Sequence, residues 1–198
     1  MQRIVTLLAA MLALLTLSGC GPEESLFGLG QAAPLDQRLM GKWLLLEGGK
    51  PSSDGRKSHV LIRSAADNTS YELDVQNFAD DGQTILMSAN LVAIDGLLFL
   101  DFYPPDPKKS DCKRASFPVV KAHIFARVSI EKDKLNWYFL DDSWVNNQDK
   151  EHKLEIASVR SSDGLLLSAE SDDLRKFLSK HAEEKEAFSG YYLLTREK

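Results

Sequence analysis

From Gly41 onward, apolar and polar residues alternate along the chain with a period of two. Tyr71, Leu73 and Val75 interleave with Glu72, Asp74 and Gln76, and Ala126, Val128 and Ile130 interleave with Arg127, Ser129 and Glu131. That period is the mark of strands with one wet and one buried face. Strands are expected over 42–47, 58–64, 70–77, 84–94, 97–103, 119–130, 135–140, 153–159, 165–169 and 191–196. Turn-forming pairs punctuate them: Asp54-Gly55, Asp67-Asn68, Asp81-Gly82, Asp95-Gly96, Lys132-Asp133 and Asp163-Gly164. Asp95-Gly96 and Asp163-Gly164 read as two-residue hairpin loops, because a type I′ turn demands positive φ at both central positions.

The pattern changes near Ser171. Leu174, Phe177, Leu178, His181 and Phe188 recur at helical spacing and form one apolar stripe, which Gly190 ends. Ser171 is placed to cap this helix, Asp172 and Asp173 suit its positive end, and Lys180 suits its negative end. A shorter helical turn is expected over 142–145. No βαβ alternation is present, which argues against a parallel sheet. The expected architecture is mainly antiparallel β, a closed barrel or strongly curved sheet, with one C-terminal helix packed on it before the last strand. Closure removes the exposed edges that an open meander would carry.

The N-terminus has a different character. Arg3 precedes an apolar stretch, Ile4–Leu17, which ends in small residues. That stretch is shorter than the roughly 20 residues a bilayer span requires, and it has the layout of a secretory leader. Leu17-Ser18-Gly19-Cys20 resembles the lipobox of bacterial lipoproteins. The resemblance implies cleavage before Cys20, a diacylglycerol on its thiol, and anchoring by fatty acyl chains such as palmitate. Two or more such chains hold a protein at a membrane durably. Gly21, where inner-membrane retention in enterobacterial lipoproteins would use Asp, implies the outer membrane of the cell envelope. The chain then divides into a signal peptide (1–19), a lipid-anchored tether (20–39) and a β domain (40–198). As a flexible coil the tether would reach about 25 Å, although Leu26, Phe27 and Leu29 are apolar exceptions within it.

Composition narrows the chemistry. The formal net charge is −5, with both signs interspersed, which argues against nucleic-acid binding. Besides Cys20 the only cysteine is Cys112, so no internal disulfide is expected and the fold must hold by packing. The chain has no nucleophile elbow, phosphate loop or zinc helix. The four histidines, His59, His123, His152 and His181, lack metal-ligand spacing. No catalytic residue, metal or cofactor is therefore expected. The acidic pairs Asp80-Asp81, Asp141-Asp142 and Asp172-Asp173 stand where turns or helices begin. Asp101 is expected to face water by alternation, with Arg127 as its partner if it points inward. Convergence of Asp101, His123, Arg127, Asp141 and His181 in an open cleft would instead indicate a hydrolase.

Gly41-Lys42-Trp43 is similar to the Gly-x-Trp that opens the first strand of lipocalins and other calycin barrels, and the late helix before a final strand is similar too. The resemblance implies a barrel in which a late arginine packs over the tryptophan, and Arg196 is the candidate partner of Trp43. Trp137, Tyr138, Phe139, Trp144, Phe99, Phe102 and Tyr103 are candidates to line a cavity. The connection Pro104–Pro118 carries Lys108, Lys109, Lys113 and Arg114, a basic run suited to contact a partner. The expected function is a membrane-anchored, non-enzymatic binding domain for a small apolar molecule or lipid. The alternative is an accessory module without a cavity that binds an envelope protein.

Overall fold

A computed structural model describes residues 24–47, 49–50, 57–76, 84–105, 122–160 and 164–197. Cys20, Cys112, the basic run Lys108, Lys109, Lys113 and Arg114, and the turns Asp54-Gly55 and Asp81-Gly82 lie outside them, as does Asp163.

Eight antiparallel strands close into a barrel. They are β2 (Gly41–Glu47), β3 (Ser58–Ser64), β4 (Tyr71–Gln76), β5 (Thr84–Ile94), β6 (Leu97–Tyr103), β7 (His123–Glu131), β8 (Lys134–Phe139) and β11 (Gly190–Arg196). Each pairs with the next in that order, and β11 returns to β2. The β5–β6 hairpin turns at Asp95 (φ 48°) and Gly96 (φ 83°), the positive pair that the turn chemistry demands. This is a lipocalin-like barrel.

A side sheet grows from one wall. β1 (Glu24–Ser25) pairs antiparallel with the start of β7 and parallel with β10 (Leu165–Leu167), and β10 pairs with β9 (Ser158–Arg160). Two helices pack outside the barrel: α1 (Asp142–Lys150) and α2 (Ser171–His181). α1 runs well past the single turn expected at 142–145, with the Asp141 carboxylate accepting from Trp144 N (2.9 Å) as its cap. α2 stops at His181, and the chain to Gly190 is built of turns. Ser171 does not cap α2, because Glu170 holds that position and Ser171 Oγ donates instead to Gly28 O (2.7 Å).

The barrel wall separates two cores. Inside lie Trp43, Val60, Tyr71, Leu73, Leu100, Phe102, Leu135, Trp137 and Leu194. Outside, under the helices, lie Leu29, Val92, Phe99, Phe125, Leu140, Leu174, Phe177 and Phe188. Strand β6 serves both: Leu100 and Phe102 point inward, while Phe99 points to the outer layer. Burial of a large apolar side chain contributes about 1.5–3 kcal/mol, so each layer is a substantial source of stability.

The segment expected to be a tether is part of the fold from Glu24 on. Ser25, Leu29 and Leu39 are fully buried. The chain pairs with β7 and β10, crosses the outside of β6 and passes β5, where Ala33 N donates to Leu91 O (2.6 Å). It then enters a 3-10 turn (Gln37–Leu39) beneath the barrel. Its apolar residues dock because the outer faces of β5 to β7 offer an apolar surface that the helices leave uncovered.

Candidate functional site

One end of the barrel is sealed. Trp43 is fully buried and donates its indole N–H to Leu39 O (2.9 Å). The guanidinium carbon of Arg196 lies 4.2 Å from the Trp43 ring centroid, a cation–π contact. The same guanidinium donates to Met40 O (2.9 Å) and Arg38 O (2.7 Å). Gly41 sits at φ 126°, and a Cβ there would fall 2.7 Å from Arg196 Nη1. Glycine, tryptophan and arginine are thus one packing unit that pins the 3-10 turn under the barrel. Tyr71 completes the seal: its hydroxyl accepts from Asp36 N (2.6 Å), and burial pushes its pKa up to about 12.

The other end holds a cavity of about 360 Å³. Phe102, Trp137, Phe139, Tyr192, Met87 and Ile85 line it. The barrel alternation aims them inward, and the rings interlock: Phe102 meets Trp137 edge-on at 5.3 Å and stacks on Phe139 at 5.6 Å. At the rim Ser189 Oγ donates to the Asp141 carboxylate. The lining therefore carries one carboxylate and, among the described residues, no cation. The indole N–H of Trp137 is buried without an acceptor among the described residues. An unpaired buried donor costs about 1–3 kcal/mol until something accepts from it.

Of the aromatic candidates, Phe102, Trp137 and Phe139 line the cavity. Phe99, Tyr138 and Trp144 belong to the outer layer, and Tyr103 lies against His123 with ring centroids 5.5 Å apart. β6 ends and β7 begins at the cavity end; the run Lys108, Lys109, Lys113 and Arg114 between them lies outside the described residues.

Asp101 departs from expectation. It is on the outer face of β6 yet only 1% exposed, because residues 28 and 29 cover it. Its carboxylate accepts from Leu29 N (2.8 Å) and from His123 Nδ1 (2.6 Å). A Cβ on Gly28 would come within 2.6 Å of Asp101 Oδ2, so only glycine permits this approach. Arg127 is not its partner; it lies over Tyr138 at 4.9 Å. Asp141 caps α1, and His181 donates to Glu184 (2.8 Å) between Trp144 and Phe177. Of the hydrolase candidates only Asp101 and His123 meet, beneath the docked segment rather than in an open cleft. Among the described residues no group of three or more His, Cys, Asp or Glu is placed to hold a metal ion, and no helix is long and apolar enough to cross a membrane.

These features define a class by architecture: a lipocalin-like barrel, sealed at one end by a Trp–Arg unit and hollow at the other. No protein-family model, no curated protein and no solved structure matches the chain.

Proposed function

We propose that this is a lipid-anchored protein of the bacterial cell envelope, held at the outer membrane through Cys20, whose barrel binds a small apolar molecule or lipid. The observation that carries the reading is the apolar cavity of about 360 Å³ at one end of an otherwise packed barrel. Small barrels either fill with side chains or keep room for one ligand. The chemistry of the lining favours a neutral molecule. Among the described residues no cation lines the cavity to pair with a buried anion, and Asp141 at the rim disfavours one. The unpaired Trp137 N–H favours a ligand with a carbonyl, ether or hydroxyl oxygen that reaches it. The lipobox supports the anchor. The buried Asp101–His123 pair is accounted for by seating the segment that covers it, which supports a binding role over catalysis.

The test is mass spectrometry of solvent extracts from the protein purified out of its own membranes, with Met87→Arg as comparison. A neutral apolar molecule present in wild type and depleted at least tenfold in the variant is the expected result. Identical extracts from the two proteins refute the reading.

A further inference from the structure

We propose that the cavity end of the barrel rests on the bilayer that holds the Cys20 lipid, with Phe27, Ile85 and Leu86 contacting the lipid surface, so that ligand passes between bilayer and cavity without crossing open water. The inference rests on the lipid-anchor reading above and adds an orientation to it.

The length of chain between anchor and fold supplies the first argument. Glu24 is paired with Ile124, and Ile124 lines the cavity. From Cys20 to Glu24 the chain spans at most ~14 Å fully extended, far from the free reach of a long coil. β7 runs from the cavity end to the sealed end over ~25 Å at about 3.3 Å per residue. Glu24 lies opposite the second residue of β7, so the anchor is tied within ~14 Å of a point at the cavity end.

The second argument is independent of the first and concerns the surface. The large hydrophobic side chains exposed among the described residues are Phe27 (46%), Ile85 (38%), Leu86 (49%) and Val159 (52%). Val159 is on the side-sheet strand β9. The other three share one arc of the cavity end. Phe27 is next to Gly28, which packs on His123 at the start of β7, and Ile85 and Leu86 open β5. Only β6 separates β5 from β7, a spacing of ~10 Å. Aromatic and aliphatic side chains on a rim are what a membrane interface accepts, and Ile85 lines the cavity while remaining partly exposed at its mouth.

The experiment uses the full acylated chain in vesicles of phosphatidylethanolamine and phosphatidylglycerol, with and without brominated acyl chains. Leu86→Trp reports on the cavity end, and Ala66→Trp, in the exposed turn between β3 and β4, reports on the sealed end. Both are read against the wild-type tryptophan signal. The expected result is loss of more than half of the emission added by Leu86→Trp and none of that added by Ala66→Trp. A chain that carries the lipid mass on Cys20 and floats with the vesicles, yet leaves Leu86→Trp unquenched, overturns the orientation alone. The same holds if Leu86→Trp is shielded by a second copy of the chain, seen as a dimer by sedimentation in detergent. A chain without lipid on Cys20 overturns the anchor and the orientation together.

Discussion

Gly28→Ala tests how firmly the N-terminal segment is seated on the barrel. The added methyl would meet Asp101 Oδ2 at 2.6 Å and His123 Cε1 at 2.8 Å. Neither neighbour can retreat: Asp101 is buried and held by Leu29 N and His123 Nδ1, and the His123 ring is backed by Tyr103. The segment must lift instead. Overpacking of this kind costs about 1–3 kcal/mol. Lifting also lengthens the Leu29–Asp101 hydrogen bond, and bonds to charged groups contribute about 1.5–3 kcal/mol. The two overlap, since one movement relieves the clash and breaks the bond, so the expected loss is about 2 kcal/mol. With a urea m-value of about 2 kcal/mol/M, the midpoint falls by about 1 M at unchanged slope. Hydrogen exchange adds a local measure, with the Leu29 amide expected to exchange roughly 30-fold faster. A midpoint within about 0.2 M of wild type together with a still-protected Leu29 amide would refute the reasoning.

Arg196→Ala removes the contact over Trp43 and the donors to Met40 O and Arg38 O; the expected cost is about 2 kcal/mol, seen as a fall in Tm of about 4–8 °C. Arg196→Lys should recover only part of it, because an ammonium cannot stack and serve both carbonyls at once. The Tyr71 phenol, pushed from 10 to about 12 by burial, gives a signed pH dependence. Its stabilising contribution is whole below pH 10, where the phenol is neutral in both folded and unfolded chains, and is lost as pH rises through about 12. Tyr71→Phe should remove the latest-titrating component of tyrosinate absorbance and flatten the alkaline loss of stability. Met87→Arg, at the cavity mouth, should leave the melting temperature within about 2 °C, since the half-buried site lets the guanidinium reach water; a larger drop would mean that position is closed.

Most of the barrel strands were legible because they present one wet and one dry face, and the Asp95-Gly96 hairpin because only one turn chemistry fits it. Of the side sheet, β10 falls within the strand expected over 165–169 and β9 overlaps only the end of the one expected over 153–159, while β1, two residues long, displays no period at all. α2 was placed correctly at its start but extended too far: Phe188 continues the apolar stripe by spacing, yet reaches the outer core from a turn. Asp101 was misplaced for a reason the sequence did contain. Leu97 to Phe102 is apolar on both faces apart from that one residue, the mark of a strand buried on both sides, and a carboxylate within such a run needs partners. Gly28 and His123 supply that surrounding from about seventy residues upstream and about twenty downstream. The cavity was foreshadowed by its aromatics, but which rings face inward depends on register and closure, and neither is local.

The contact of Ser25 with Leu167 spans 142 positions of sequence. β1 can find both its partners only once β7 and β10 have formed, so this contact carries the closure entropy of most of the chain and belongs among the slow, non-local steps of folding.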